Sequence, residues 1–264
     1  MLPDASQIRK TARTILKENY VAALLVSFAV ITTFLIGSLI DSLVFYYATG
    51  GNATVVSLIS FCLFFMPILL GTVRYFAILI EGEKVGPVEI FYYFSSFKRL
   101  KRCLGFVLSV FFRVYLSFLL ITLIPNAIYV FSVEGVYKLM NVSMPVWAPV
   151  LKIAAIFLQI ISIVIAAVVN MKYYLSFYIF ACNDGIAVKD AISLSFRISK
   201  RTKGDFWLLL FTLTGYIIMS LTVFPLFLIL PYFMLCYVVH AKCAAFSYNR
   251  SIDLPSGQYT VVAK

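Results

Sequence analysis

Between Phe206 and Val239 the chain runs for 34 residues without a charged side chain. As a single helix rising 1.5 Å per residue, that run would be about 51 Å long, well beyond a hydrocarbon core of about 30 Å. A tight turn around Val223-Phe224-Pro225 divides it into two crossings of about 20 residues each. The same length test predicts spans near 20–40, 54–80, 103–131, 150–181, 206–223 and 226–247. The expected fold class is therefore all-α, a polytopic membrane bundle of six transmembrane helices. Composition agrees: 12% of the 264 residues are charged, against about 25% in soluble domains. The first run, Tyr20 to Ile40, follows no short hydrophobic region with a small-residue cleavage site, so it is expected to remain as a membrane helix.

Charge is distributed by loop. Residues 1–19, 81–102 and 183–205 hold 4, 5 and 5 Lys or Arg, whereas 41–53 holds none and 132–149 only Lys138. The positive-inside rule places the three basic segments, and with them both termini, on the cytoplasmic side. The net charge of +11 is thus a topology signal. It points to anionic headgroups as partners, not to nucleic acid.

The basic segments also share a spacing. Ile8, Ala12 and Ile15 are separated by four and then three residues, as are Ile90, Phe94 and Phe97, and Ala191, Ser195 and Ile198. Each triplet has Lys and Arg around or just beyond it, and an apolar run starts soon after, at Tyr20, Cys103 and Phe206. This predicts three basic amphipathic interfacial helices, each feeding a hairpin, in a pseudo-threefold repeat of about 1–82, 83–184 and 185–248. Residues 1–248 then form a single membrane domain, and 249–264 a cytoplasmic tail. The plainer reading is that these are ordinary cytoplasmic loops made basic by topology.

Within the expected spans, Pro67 marks a kink, the long fourth run is expected to tilt, bend near Asn170 or run out into the cytoplasm, and Arg74, Arg113 and Lys172 are cations at or near membrane depth. A charge there costs roughly 2.5–3.5 kcal/mol on insertion scales unless it reaches the interface or a partner. Arg74 is close enough to its cytoplasmic end to snorkel. Arg113, about ten residues past Arg102, and Lys172, three turns before Asp184, are the sharper candidates for an anion. Together with Arg74 and Asn170 they form the candidate anion or lipid contacts, set against a structural pairing inside the bundle.

Catalytic and metal chemistry finds little support. His240 is the only histidine, and the cysteines at 62, 103, 182, 236 and 243 have no CxxC spacing, so free thiols and no metal or cofactor are expected. Phosphate-binding glycine loops and the GxSxG nucleophile motif are absent from the sequence. Acidic residues fall in loops, which weighs against a proton- or sodium-coupled transporter. Ser176, four residues after Lys172, is the nearest approach to a nucleophile and base, and it is read as coincidence. The sequons at Asn52 and Asn141 fall in expected outer loops.

The C-terminal half carries a recognisable pattern: Lys172-Tyr173-Tyr174, Phe180-Ala181-Cys182-Asn183-Asp184, the Ala191 to Ser195 helix, Lys203-Gly204-Asp205-Phe206-Trp207, Pro231-Tyr232 and Phe246-Ser247-Tyr248. Over about residues 165–248 it resembles an uncharacterised family of bacterial integral membrane proteins, of the domain-of-unknown-function type. That family is similar in pattern to the membrane domain fused to some glycerophosphodiester phosphodiesterases. Its usual Pro-Gly before the basic-aromatic stretch is Val169-Asn170 here, and Asn keeps the backbone donor that Pro removes. The resemblance implies a multi-pass protein of the bacterial plasma (inner) membrane and brings no activity with it.

The residues favour a non-enzymatic membrane protein that binds, or helps to transport, an anionic amphiphile or lipid at the inner leaflet. The alternative is a structural or accessory subunit that scaffolds another membrane protein.

Overall fold

A computed structural model describes residues 3–47, 61–132, 143, 145–219 and 223–250. Every regular element among them is helical. The elements are α1 (Ala5–Glu18), α2 (Tyr20–Tyr47), a π-turn (Phe61–Phe65), α3 (Met66–Ile80), a 3-10 segment (Pro87–Phe94), α4 (Phe97–Phe131) and α5 (Ala148–Asn170). A 3-10 turn (Met171–Tyr173), α6 (Ser176–Cys182), α7 (Val188–Thr212), α8 (Thr214–Met219) and α9 (Val223–Arg250) follow. Five stretches are long and apolar enough to cross a membrane: Tyr20–Ile40, Phe61–Ile80, Phe97–Phe131, Ala148–Cys182 and Phe227–Asn249. Residues 48–53 of the expected outer turn at 41–53, most of the loop from Ser132 to Trp147, Asn52 and Asn141 of the two sequons and residues 251–264 of the tail lie outside the described residues.

The chain forms two compact units. One comprises residues 1–108 with 173–264, the other residues 109–172.

In the first unit, α1 starts on a capping box. The Asp4 carboxylate accepts from the Ala5 N–H at 2.8 Å, and the Gln7 side chain accepts from the Asp4 N–H. It ends at Asn19, whose amide side chain donates to the Ile15 carbonyl at 3.2 Å. Ile8 and Ala12 are buried and Lys10, Arg13 and Lys17 exposed. The second triplet behaves differently. Ile90 is 1% exposed but Phe97 is 80% exposed, because Ile90 lies in a 3-10 segment of three residues per turn and Phe97 opens a separate α-helix. In the third triplet Ala191, Ser195 and Ile198 are all buried.

Helix boundaries depart from expectation where nothing breaks the backbone. α2 runs past Asp41 to Tyr47, a stretch with neither Gly nor Pro to end it, and Ser42 donates to the Ser38 carbonyl. α7 continues unbroken from Val188 to Thr212 instead of ending as a short basic helix before a separate span. Lys and Arg are good helix formers, and the single Gly204 costs only about 1 kcal/mol. At Pro67, where a kink is expected, a π-turn is followed by the start of α3, with Pro67 in its first turn, where its missing N–H is least costly. α9 begins at Val223, so the expected turn at Val223-Phe224-Pro225 is the first turn of a helix.

The bend after Asn170 is present as a 3-10 turn, and the backbone groups it releases are met by side chains. Ser176 donates to the Tyr173 carbonyl at 2.5 Å and Tyr237 to the Tyr174 carbonyl at 2.6 Å. At the end of α3, Gly82 adopts φ +83° and its N–H donates to the Leu79 carbonyl, the left-handed stop that glycine takes without strain. Earlier on α3, a Cβ on Gly71 would fall on the Ile90 carbonyl, so glycine lets the 3-10 segment lie directly on the helix. Around this contact Phe106 stacks on Phe180 at 4.2 Å, with Phe177 edge-on at 5.5 Å and Tyr93 beyond Phe180 at 6.2 Å. Since lipid tails are as apolar as these rings, close packing, more than escape from water, makes such contacts favourable within a membrane.

The second unit is the remainder of α4 and α5. Ala148, Ala155, Ser162 and Ala166 are the buried residues of α5, a stripe of small side chains spaced by seven, seven and four. Small side chains allow backbones to approach.

Candidate functional site

Arg74 is the hub of the first unit. Its Nε donates to Glu89 at 2.8 Å, and its Nη1 to the Ala181 carbonyl at 3.0 Å and to Asp184 at 3.1 Å. α3 carries the arginine, the 3-10 segment brings Glu89, and the turn after α6 brings Asp184. The guanidinium also lies 3.8 Å from the centre of the Tyr92 ring, whose centre is 4.2 Å from the guanidinium of Arg99. Both distances are within the reach of cation–π attraction. Burial, followed by the Asp184 carboxylate, pushes the Tyr92 phenol above its ordinary value, while Arg74 pulls it down. The Tyr93 phenol is raised further, chiefly by burial.

Arg102 completes the clasp. Its Nη2 donates to the carbonyls of Asn183 at 2.6 Å and Ile186 at 2.9 Å, and the guanidinium sits 4.5 Å from the centre of the Phe180 ring. The Asn183-Asp184 pair at the end of the recognisable pattern is therefore held by two arginines, Arg102 at the Asn183 carbonyl and Arg74 at the Asp184 carboxylate. Lys242 joins α9 to this side of the unit through Glu81 at 3.5 Å. The carboxylates that answer Arg74 come from loop positions, which is why a search of the apolar spans alone misses them.

A second polar cluster lies among α7, α9 and the stretch just before α6. The Tyr174 hydroxyl is 2.8 Å from Thr202 Oγ1 and 3.2 Å from His240 Nε2, and its ring stacks on Phe206 at 4.3 Å. His240 is fully buried, and its Nδ1 has no hydrogen-bond partner among the described residues.

The other sequence candidates belong to the second unit. Ser117 donates to the Asn170 side-chain oxygen at 2.7 Å, joining α4 to the end of α5. Arg113 stands one turn before Ser117 on α4, and its Nη1 is buried with no hydrogen-bond partner among the described residues. Lys172 follows in the 3-10 turn and is half-buried. The structure thus brings Asn170 to within one helical turn of Arg113, and it places Arg74 in the other unit among carboxylates. All five cysteines are unpaired, and no group of metal-ligating side chains occurs among the described residues.

Helical throughout its described elements, the chain carries five helices long and apolar enough to cross a membrane, the architecture of the multi-pass membrane class. It belongs to the protein family of unknown function DUF975, which it matches over residues 1–244. No curated protein matches it. No solved structure matches it either.

Proposed function

We propose that this is a non-enzymatic protein of the bacterial plasma (inner) membrane that binds, or helps to transport, an anionic amphiphile at the inner leaflet. The observation that carries the reading is Arg113. It is a permanent cation in an apolar helix, with a buried Nη1 that finds no acceptor among the described residues. A buried donor left unmade costs about 1–3 kcal/mol, and more for a charged group. A phosphate or carboxylate oxygen arriving from a bound amphiphile removes that cost. Asn170 and Lys172, at the end of α5 and just beyond it, are the polar groups next along the same unit.

In this reading the sixth crossing is formed by the C-terminal part of α7 with α8, and both termini face the cytoplasm. The three basic segments lie along the inner headgroups as interfacial helices of a threefold repeat. The buried faces of α1 and α7 support this; the 3-10 geometry of the second segment weakens it. A cysteine introduced at Ala263 should resist an impermeant reagent applied to intact cells, and labelling from outside removes the six-span topology.

The test of the function is lipid retention by native mass spectrometry of the protein in gentle detergent. Arg113→Gln or Lys172→Gln should lower retention of an anionic lipid by about 10- to 100-fold while leaving the protein folded. Retention unchanged in both variants would turn the assignment to the second reading, a scaffold for another membrane protein. That alternative draws on the breadth of apolar surface that α5 exposes, including Ile153, Phe157, Ile160 and Val164.

A further inference from the structure

A groove of about 580 Å³ opens between the start of α2 and the start of α9, within the first unit. Its walls include Tyr20, Leu24 and Phe28 from α2 and Phe227 and Leu228 from α9. The volume falls within the roughly 300–1,000 Å³ of ligand sites. Apart from the tip of Tyr20 its side chains are hydrocarbon, so they offer a ligand dispersion contact and almost no hydrogen bonds.

The two ends of the groove differ. At one end Phe28 stacks on Phe227, ring centres 5.9 Å apart. From there α2 runs back to Tyr20, and α9 runs forward from Leu228 to Tyr232 one turn later. At that end α1 meets α9: the guanidinium of Arg13 lies 5.8 Å from the centre of the Tyr232 ring, and its Nη2 donates to the Tyr216 hydroxyl at 3.1 Å. Both partners are phenols, and Arg13 has no carboxylate partner among the described residues. This contrasts with Arg74, which has two. Lys17, exposed in the last turn of α1, adds a second cation just before Tyr20. Glu18 is the one carboxylate beside it, against four basic residues on α1.

A hydrocarbon trough with an uncompensated arginine at one mouth matches one kind of molecule. We propose that this groove holds an acyl chain of an anionic phospholipid, with the lipid phosphate bound by Arg13 and Lys17. The inference rests on the reading of the chain as a membrane protein and deepens the amphiphile proposal by adding a site that does not involve Arg113. Arg13 is suited to the role because its planar fork can give two parallel N–H bonds to phosphate oxygens. The Tyr216 bond holds the side chain where α1 meets α9, one turn beyond the groove lining at Leu228, without neutralising it. A lipid here would tie α1 to the packed pair of α2 and α9.

The test titrates purified full-length protein with phosphatidylglycerol or phosphatidylcholine of identical chains, and counts retained lipids by native mass spectrometry. The native chain should retain phosphatidylglycerol at least 10-fold better. Arg13→Gln should bring it down to the phosphatidylcholine level, and Arg13→Lys should keep most of the preference. Leu24→Trp, which fills the trough from a half-buried position on its wall, should reduce retention of both lipids. Thermal melting in the same detergent checks that each variant is folded, and Leu24→Trp keeps the test alive if Arg13→Gln does not fold. Equal retention of the two lipids by the native chain overturns the proposal. So does undiminished phosphatidylglycerol retention in Arg13→Gln, or a dimer mass that Leu24→Trp abolishes, which would give the groove to a second copy. Loss of phosphatidylglycerol in Arg113→Gln but not in Arg13→Gln also overturns it while leaving the Arg113 reading standing; the opposite pattern assigns the lipid to the groove.

Discussion

The two units solve the problem of packing helices in a bilayer in different ways. The first is held by large rings and by charge: Phe106 against Phe180, Tyr92 between two guanidinium groups, and Arg74 among Glu89, Asp184 and the Ala181 carbonyl. In the most apolar stretch of Phe61–Ile80 and of Phe227–Asn249, 56% of the residues are buried, against 17% in Phe97–Phe131 and in Ala148–Cys182, which carry the second unit. That unit buries small residues and leaves its large ones outside. The lesson is that hydropathy, which is higher for these two helices than for the two well-buried ones, says nothing of how much a helix packs. Packing is set by which side chains have partners of matching shape and charge.

The largest test of this contrast compares two phenylalanines. Phe106→Ala, at a fully buried ring, should cost about 3 kcal/mol, mostly from the cavity and lost stacking. Phe157→Ala, at a ring 64% exposed on α5, should change stability by less than about 0.5 kcal/mol. Reversible unfolding in mixed micelles measures both, and similar losses would erase the distinction between the units.

Next comes Arg74→Gln, which leaves Glu89 and Asp184 facing each other without their shared cation. With Asp184 half exposed to screening, the expected loss is about 2 kcal/mol. The same change at Arg113 removes a donor that has no acceptor among the described residues, so stability should hold or rise slightly while lipid retention falls. A large destabilisation by Arg113→Gln would mean that the residue is structural.

In the second unit, Ala155→Leu should cost about 1–2 kcal/mol by forcing a larger side chain into the buried small-residue stripe of α5. Melting temperature in detergent reads this directly. An unchanged value would show that the stripe is loosely filled.

The smallest effects separate two buried tyrosines of the first unit. The Tyr174 hydroxyl has Thr202 and His240 as partners, so Tyr174→Phe should lose about 1 kcal/mol. The Tyr93 hydroxyl has none among the described residues, so Tyr93→Phe should be neutral or slightly stabilising below pH 10. Burial raises the Tyr93 phenol in the folded protein. The unfolded phenol ionises near pH 10, so the native chain loses stability as pH rises above about 10 and the Tyr93→Phe variant should lose less. Equal alkaline losses in both would show that Tyr93 is not held neutral by the fold.

Length and charge pattern alone determined that this chain is built of helices of spanning length. At 1.5 Å per residue, an uncharged run of 20 or more leaves no other way to satisfy its backbone in a bilayer. One local signal was also legible: a bend near Asn170 was among the alternatives for the long fourth run, and it depends on residues within a turn of one another. What the tertiary structure decided is what answers what. Glu89 and Asp184 are 15 and 110 residues from Arg74 in the chain, and Asn170 is 53 from Ser117. No periodicity links positions so far apart, because their meeting depends on how helices turn and pack. The continuity of α7 through Lys200, Arg201 and Lys203 was likewise hidden: charge marks where a chain meets water, whereas a helix ends only where its backbone hydrogen bonds are interrupted.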